Sequence, residues 1–179
     1  MMLHSAWVDQ SLNNLDQCGT EGRSALDFIR ARRVNISFCD QPTAARWTLS
    51  GHIQLHPRYA DGDPDAAYPL SLIIHEVKHL QQGFFTALSV YGELEAWQLQ
   101  FSFLKTFTGK YHDNPRYDSV IRKLMSLPLN TNRDVLRKAQ QLMKDYAGKK
   151  YRIDLLPLFP LIFEIKFRLG IPYKIDKLF

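Results

Sequence analysis

A pentapeptide in the middle of the chain, His75-Glu76-Val77-Lys78-His79, has the residue types and the spacing of a metal site. Side chains four residues apart lie on one face of a helix, so both imidazoles can bind a single ion. Zinc accepts neutral histidine nitrogens, and a catalytic zinc typically has three protein ligands and a water. Glu76 can reach that water without being a ligand. The pentapeptide therefore predicts a catalytic zinc site with His75 and His79 as ligands and Glu76 as general base.

The alternative explanation is chance, because composition alone produces this pentapeptide in some chains that bind no metal. The local context favours the metal site. An apolar run from Leu70 to Ile74 precedes the motif, and Pro69 suits the first turn of a helix. Gly83 can end the same helix in a left-handed conformation. The pattern thus predicts one helix, from about Tyr68 to Gly83, that carries the whole motif.

The remaining patterns predict an α+β fold in which helices outnumber three short strands. Apolar residues spaced by three and four indicate the helices, and alternating apolar and polar residues indicate the strands. The predicted strands cover 34–38, 46–49 and 53–55, the last two joined by a turn at Ser50-Gly51, and the predicted helices cover 21–33, 68–83, a start at 86–89 to about 108, 115 to beyond 124, and about 131 to 148. No element is assigned to the apolar, proline-broken tail from Tyr151 onward.

Two histidines need a third ligand, and the sequence downstream offers candidates. The metzincin class of zinc proteins needs a glycine and a further histidine after the motif, but Gln82 and Phe85 occupy those positions. Glu93 and Glu95 lie on the next predicted helix, and a short connection makes the two helices antiparallel neighbours. A hairpin of this length returns Glu93 to about the level of the histidines, while Glu95 points about 200° away around the helix. His112 is a more distant alternative ligand.

Two segments of the chain together make up one longer pattern. The first has the form HExxHxxQ and is His75-Glu76-Val77-Lys78-His79-Leu80-Gln81-Gln82. After a short gap, the second has a Glu followed three residues later by Ala and is Glu93-Leu94-Glu95-Ala96-Trp97. This pattern resembles that of the gluzincin-type zinc metallopeptidases, especially the compact bacterial minigluzincins. The resemblance covers about residues 20–108. The helices that follow are not explained by it.

The resemblance implies a zincin-like α+β fold, in which a small three-stranded sheet packs on the active-site helix and on a helix that carries the glutamate. It implies that His75, His79 and Glu93 bind Zn²⁺. Glu76 is then the general base that assists attack of zinc-bound water on a peptide bond. Glu95 is the rival third ligand, or else a carboxylate that supports a ligand or lies at the surface.

Peptide-bond hydrolysis also requires a place for the substrate and a donor to the developing oxyanion. Residues 52–57 resemble the edge strand that runs beside the active-site helix in these enzymes, and an extended substrate can pair with such an edge. The oxyanion needs a donor besides zinc. Tyr68, Tyr91, His112 and Arg116 are candidates, and the sequence does not choose among them.

The chain as a whole indicates one domain. At 179 residues it has room for one substantial core, and we divide 1–179 into a zincin-like core at 20–110 and a helical C-terminal extension at 111–179. Its first residues lack the apolar stretch of a signal peptide, and no segment is long enough to span a membrane. Cys18 and Cys39 form no metal-ligand cluster. We therefore expect a cytoplasmic protein with reduced cysteines.

Charge is distributed unevenly along the chain. Residues 1–99 contain 7 basic and 11 acidic side chains, whereas residues 100–179 contain 16 and 7. Basic helix faces usually lie in solvent, and the sequence lacks the basic, aromatic-interleaved motif of a nucleic-acid module, so we expect no nucleic-acid partner. Two alternatives to a peptidase stay open: a zincin-like protein that binds or regulates without cleaving, and a structural protein whose basic, apolar tail contacts a membrane surface.

Overall fold

Eight helices and three short strands make up the part of the chain that the structure describes, residues 6–130, 132–148 and 151–170 of a computed structural model. The fold is α+β, mostly helical, with one small mixed sheet. In chain order the elements are α1 (Ala6–Gln17), α2 (Gly19–Arg32), β1 (Ile36–Phe38), β2 (Ala45–Trp47), β3 (Ile53–Leu55), α3 (Ala67–Gln82), α4 (Phe84–Ala87), α5 (Val90–Thr108), α6 (Pro115–Met125), α7 (Arg133–Ala147) and α8 (Leu161–Arg168), with 3₁₀ turns at Pro57–Tyr59 and Ile153–Leu155. The predicted helix start at Thr131, the first five residues and the last nine residues of the tail lie outside the described ranges.

The motif helix α3 and the following long helix α5 form where the sequence predicted them. Pro69 lies in the first turn of α3, and Gly83 ends it at a φ of 72°. Ser89 caps α5 by accepting a hydrogen bond from the Gly92 amide at 3.0 Å, and Gly109 ends it at a φ of 79°. A positive φ is costly for residues with a Cβ, which explains glycine at both ends.

The packing of α3 against α5 forms the centre of the core. Residues 69–77 of α3 are all buried, so this part of the helix is covered on every side. Burial of a large apolar side chain contributes about 1.5–3 kcal/mol. The buried apolar residues of the two helices include Leu70, Ile73, Ile74, Val77, Leu94, Trp97 and Phe101. At the start of α5 the backbone approaches α4 so closely that a Cβ on Gly92 would lie 2.1 Å from the Thr86 carbonyl oxygen. A side chain at position 92 would therefore force the backbone of α4 or α5 to shift.

The sheet differs from the prediction in one respect that matters for the site. Its order is β1-β3-β2, with β1 parallel and β2 antiparallel to β3. The prediction that residues 52–57 contain the edge strand is therefore wrong, because β3 is paired on both sides. Ile53 and Leu55 are completely buried, as side chains of a central strand often are. The strand with a free edge next to α3 is β2.

Other differences concern short elements and their ends. The sequence did not predict α1, whose buried face consists of Trp7, Val8, Ser11 and Leu15. Strand β1 is shorter than the predicted strand 34–38, and β2 begins and ends earlier than the predicted strand 46–49. The predicted turn at Ser50-Gly51 does join β2 to β3. None of the described helices is long and apolar enough to cross a membrane.

Candidate metal centre

Three side chains from α3 and α5 meet in the interior of the protein. The Nε2 atoms of His75 and His79 are 3.0 Å apart. A Glu93 carboxylate oxygen lies 3.7 Å from the first of these nitrogens, and the other oxygen lies 3.6 Å from the second. All three ligand atoms fit within 4.8 Å of one another, and the three side chains are at most 12% exposed. The predicted residues His75, His79 and Glu93 thus form one buried cluster that could hold a metal ion.

The protonation states of the cluster fit a cation. Burial, with the nearby charge of His79, lowers the pKa of His75 to about 3, so its imidazole is neutral, as a ligand must be. Burial by itself would lower the pKa of His79, but the Glu93 carboxylate beside it raises that pKa to about 9. Burial disfavours the Glu93 carboxylate, yet its pKa is lowered because His79 offsets the charge. Glu93 therefore needs a positive partner, which either a proton on His79 or a metal ion can supply.

A hydrogen-bond chain outside the cluster orients His79. Its Nδ1 is 3.1 Å from the Gln82 amide oxygen, which can only accept, so Nδ1 carries a proton and Nε2 is the nitrogen directed at the cluster. The Gln82 amide nitrogen donates to Glu95 and to the Gly92 carbonyl, both at 2.9 Å. Glu95 also pairs with Lys78 at 2.6 Å. Glu95 is thus turned away from the cluster and supports a ligand through Gln82.

Glu93 is held by two aromatic residues. The indole nitrogen of Trp97 donates to its Oε2 at 3.0 Å. The hydroxyl of Tyr151 lies 3.4 Å from the same oxygen and 3.5 Å from His75 Nε2. His75 Nδ1, on the other side of that ring, has no hydrogen bond of normal geometry to the described residues. The arrangement leaves both imidazole Nε2 atoms and a carboxylate directed at one point beside the Tyr151 hydroxyl.

The motif glutamate, Glu76, lies next to the cluster and faces a cavity. Burial raises the pKa of Glu76 to about 7, while the charge of His79 and the backbone amide of Trp47 partly offset this effect. The Trp47 amide belongs to β2, so the edge strand contacts the carboxylate directly. A carboxyl with a pKa near neutrality can both take up and release a proton.

The cavity beside Glu76 has a volume of about 520 Å³ and is built from distant parts of the chain. One wall consists of His75 and Glu76 on α3, and residues 42–45 form the side next to β2. The remaining side is mostly aromatic. It includes Tyr68, Trp97, Phe101, His112, Tyr117, Tyr146 and Tyr151, together with Arg58.

The outer edge of β2 has no strand partner among the described residues. In the antiparallel pair, the His56 amide donates to the Ala44 carbonyl and the Thr48 amide donates to the His52 carbonyl, both at 2.9 Å. Because backbone directions alternate along a strand, the amides and carbonyls of Ala45 and Trp47 point away from β3. Two of these four groups already have a partner, since the Ala45 carbonyl accepts from the Thr43 hydroxyl at 2.9 Å and the Trp47 amide contacts Glu76. Ala45 also lines the cavity.

The four candidates for an oxyanion donor differ in whether they line the cavity. Tyr68 and His112 line the cavity, whereas Tyr91 and Arg116 do not, and His112 is not part of the metal cluster. The hydroxyl that lies against the cluster belongs to Tyr151, which the sequence did not single out. Tyr151 opens the unassigned tail, and its only sequence signal was an apolar setting that had to pack against something.

The tail that begins at Tyr151 is hydrogen-bonded to the start of α5 and to α7. These contacts explain how Tyr151 reaches the site. The first amides of α5, on Val90 and Tyr91, donate to the carbonyls of Pro157 and Leu158 at 2.8 and 3.2 Å. These amides have no partner within the helix, so the tail satisfies them. From α7, the Gln140 amide nitrogen donates to the Ile153 carbonyl at 3.0 Å.

Comparisons of this chain with protein-family models, with curated proteins and with solved structures found no match. The interpretation of the site therefore depends on the residues and distances given above.

Proposed function

We propose that this protein is a zinc-dependent metallopeptidase of the gluzincin type, with a zincin-like fold in residues 20–110. One observation carries the proposal: Glu76 lies beside the buried His75, His79 and Glu93 cluster, at the wall of a cavity large enough for a peptide side chain. A structural metal site is usually closed by four ligands, whereas three ligands beside a cavity leave a position open.

The donor set suits zinc. His75, His79 and Glu93 offer two imidazole nitrogens and one carboxylate, a combination that zinc accepts in catalytic sites. Because the pKa of His79 is raised to about 9, zinc would take the place of a proton on that imidazole. When bound there, zinc would supply a Lewis acid that polarises a carbonyl and lowers the pKa of water toward ~7. Gln82 and Trp97 hold two of the ligands in place by hydrogen bonds.

Glu76 moves the proton in the proposed reaction. Its carboxylate takes a proton from the attacking water and then returns it to the nitrogen of the leaving amine. A pKa of about 7 allows both steps near neutral pH. The Trp47 amide keeps the carboxylate oriented toward the cavity from the edge of β2.

Tyr151 is the donor that we assign to the negative charge on the scissile carbonyl oxygen. Burial raises the pKa of Tyr151 well above its usual value, with further contributions from Glu93 and Glu76, so the hydroxyl stays protonated. Its place next to both His75 and Glu93 puts that proton at the cluster. The substrate backbone pairs with the free edge of β2, which replaces β3 in the role that the sequence suggested.

The test combines metal content with turnover. The purified protein is loaded with zinc and analysed for metal, and its activity is measured by mass spectrometry on a peptide library from a digested proteome. We expect about one zinc per chain. Glu76→Gln should keep the zinc and lose about 10²–10⁴-fold in turnover, the range for a general base.

Glu21→Gln, at a glutamate on α2 that belongs neither to the cluster nor to the cavity lining, is the matched control and should change neither quantity. Failure to bind zinc would overturn the metal site. Stoichiometric zinc without any cleavage, or cleavage unaffected by Glu76→Gln, would instead favour the zincin-like binding protein over the peptidase.

A further inference from the structure

The cavity beside Glu76 has an unequal distribution of charge. Among its lining residues in the described ranges, Glu76 is the only carboxylate, and it belongs to the wall next to the metal cluster. Arg58 and His112 are the basic residues outside that cluster. Away from Glu76, the cavity therefore presents positive charge and hydrogen-bond donors without acidic side chains.

Arg58 has no carboxylate partner among the described residues, unlike Lys78, Lys110 and Arg122. It lies in the 3₁₀ turn directly after β3, where His56 Nδ1 accepts its backbone amide and fixes the start of the turn. Its guanidinium donates to the Tyr59 hydroxyl at 2.6 Å and packs over the Tyr59 ring at 4.8 Å. A guanidinium has five N–H donors, so most of them are left for a ligand.

His112 and the tyrosine hydroxyls add neutral donors. His112 Nδ1 accepts the Asn114 amide at 2.9 Å, so the proton of the neutral ring is on Nε2. Tyr68 and Tyr146 are hydrogen-bonded to each other, and burial raises the pKa of both phenols, so both stay protonated. Within this pair, one hydroxyl donates its proton to the other, so the O–H proton of the second hydroxyl is left for another acceptor. Tyr117 supplies a further hydroxyl.

We propose that this cavity binds a carboxylate of the substrate, with Arg58 as its charge partner. The carboxylate belongs either to an acidic side chain near the scissile bond or to the C-terminus of the peptide. Planar guanidinium groups match carboxylates in two parallel hydrogen bonds, which makes Arg58 suited to the task. The inference rests on the proposed peptidase function, and it adds the class of substrate to it.

The experiment measures binding and cleavage separately on the full-length, zinc-loaded protein. Two pairs of probe peptides distinguish the two sources of the carboxylate. The first pair is acetyl-Ala-Ala-Glu-Ala-amide and its Gln analogue, and the second is acetyl-Ala-Ala-Ala as the free acid and as the amide. Calorimetry gives the dissociation constants, and mass spectrometry detects cleavage.

We expect the acidic member of one pair to bind about tenfold or more tightly than its neutral isostere, because hydrogen bonds to charged groups are about twice as strong as neutral ones. Arg58→Met should remove that preference and leave the affinity for the neutral peptide unchanged. Arg58→Lys should retain part of it. Arg30→Met, an exposed arginine on α2, is the control and should retain all of it.

The outcomes separate the two proposals. Equal affinity for acidic and neutral peptides, or no measurable binding of any probe, overturns the carboxylate site, even if other peptides are cleaved. A preference that Arg58→Met leaves intact also overturns it. Selective binding of an acidic peptide without cleavage of any peptide supports the carboxylate site and contradicts the peptidase.

Discussion

The two walls of the cavity are built in different ways. The metal wall is defined here as His75 and Glu76, which line the cavity, together with the cluster residues His79 on the same helix and Glu93 on the next helix. The aromatic wall, defined here as Tyr117, Tyr146 and Tyr151, comes from three separate segments of the C-terminal half. Local spacing places the residues of the metal wall, whereas long-range packing places those of the aromatic wall.

The two walls also differ in the chemical groups that they contribute. Every charged group of the metal wall is buried and held by specific partners, such as Gln82 on His79 and Trp97 on Glu93. The aromatic wall contributes neutral hydroxyls and flat rings. Tyr117 packs on Tyr146, and both Tyr146 and Tyr151 pack on Trp97, at centroid distances of 5.2–5.5 Å. We interpret the first wall as the site of reaction and the second as the site of substrate binding, with Tyr151 serving both.

The largest effect is expected at the third ligand of the metal wall. Glu93→Gln removes the carboxylate that faces both histidines, and it should weaken zinc binding by more than the roughly 100-fold that loss of an outer partner can cause. Glu95→Gln removes a carboxylate two residues away that contacts Lys78 and Gln82 instead, and stoichiometric zinc should remain. Zinc titration with a competing chelator measures both variants. Loss of stoichiometric zinc only in Glu95→Gln would reverse the assignment of the two carboxylates.

A smaller effect is expected where the two walls meet, at Tyr151. Tyr151→Phe keeps the ring against Trp97 but removes the proton next to His75, so turnover should fall about 100-fold with unchanged zinc content. Tyr111→Phe is the control, because the Tyr111 ring contacts Lys105 and Arg122 through its face, which phenylalanine preserves. Steady-state kinetics on a cleaved library peptide gives the result. Unchanged turnover in Tyr151→Phe would confine this residue to the aromatic wall.

The smallest effect is expected behind the metal wall, at Gln82. Gln82→Met removes the acceptor of the His79 Nδ1 proton and the donor to Glu95, so the affinity for zinc should fall about tenfold. Gln81→Met, at the exposed neighbouring position, should have no effect on zinc affinity. The same chelator competition measures both. If the two variants bound zinc equally, the orientation of His79 would depend on packing alone.

The metal wall could be predicted from the sequence because its geometry is that of a regular helix. A spacing of four residues brings His75 and His79 to the same face wherever the helix lies. The glycines at 83 and 109 mark helix ends by their backbone preference, and Ser89 marks a helix start because its side chain accepts a backbone amide. The choice of Glu93 over Glu95 followed from the resemblance and from hairpin length, and the structure places Glu93, not Glu95, in the cluster.

The sheet and the aromatic wall could not be predicted in the same way. A three-residue strand such as β3 carries too little pattern to reveal whether one or both of its edges are paired, so its central place in the sheet was missed. Tyr151 lies 58 residues from Glu93 along the chain, and no periodicity connects the two. The sequence predicted only a loop around Arg58. That its guanidinium has no carboxylate partner among the described residues could be seen only in the folded chain.

The sequence by itself determined the ligand types, their spacing and the helices that carry them, because helix geometry and capping depend on residues close together in the chain. Only the tertiary structure decided which strand offers a free edge, which hydroxyl lies at the cluster and what surrounds the cavity. Those features depend on contacts between segments far apart in sequence, which arise when apolar surfaces pack to exclude water. The HExxH motif thus supplies three residues of the candidate metal centre, and the packing of the C-terminal half around it shapes the cavity where a substrate of the proposed peptidase would bind.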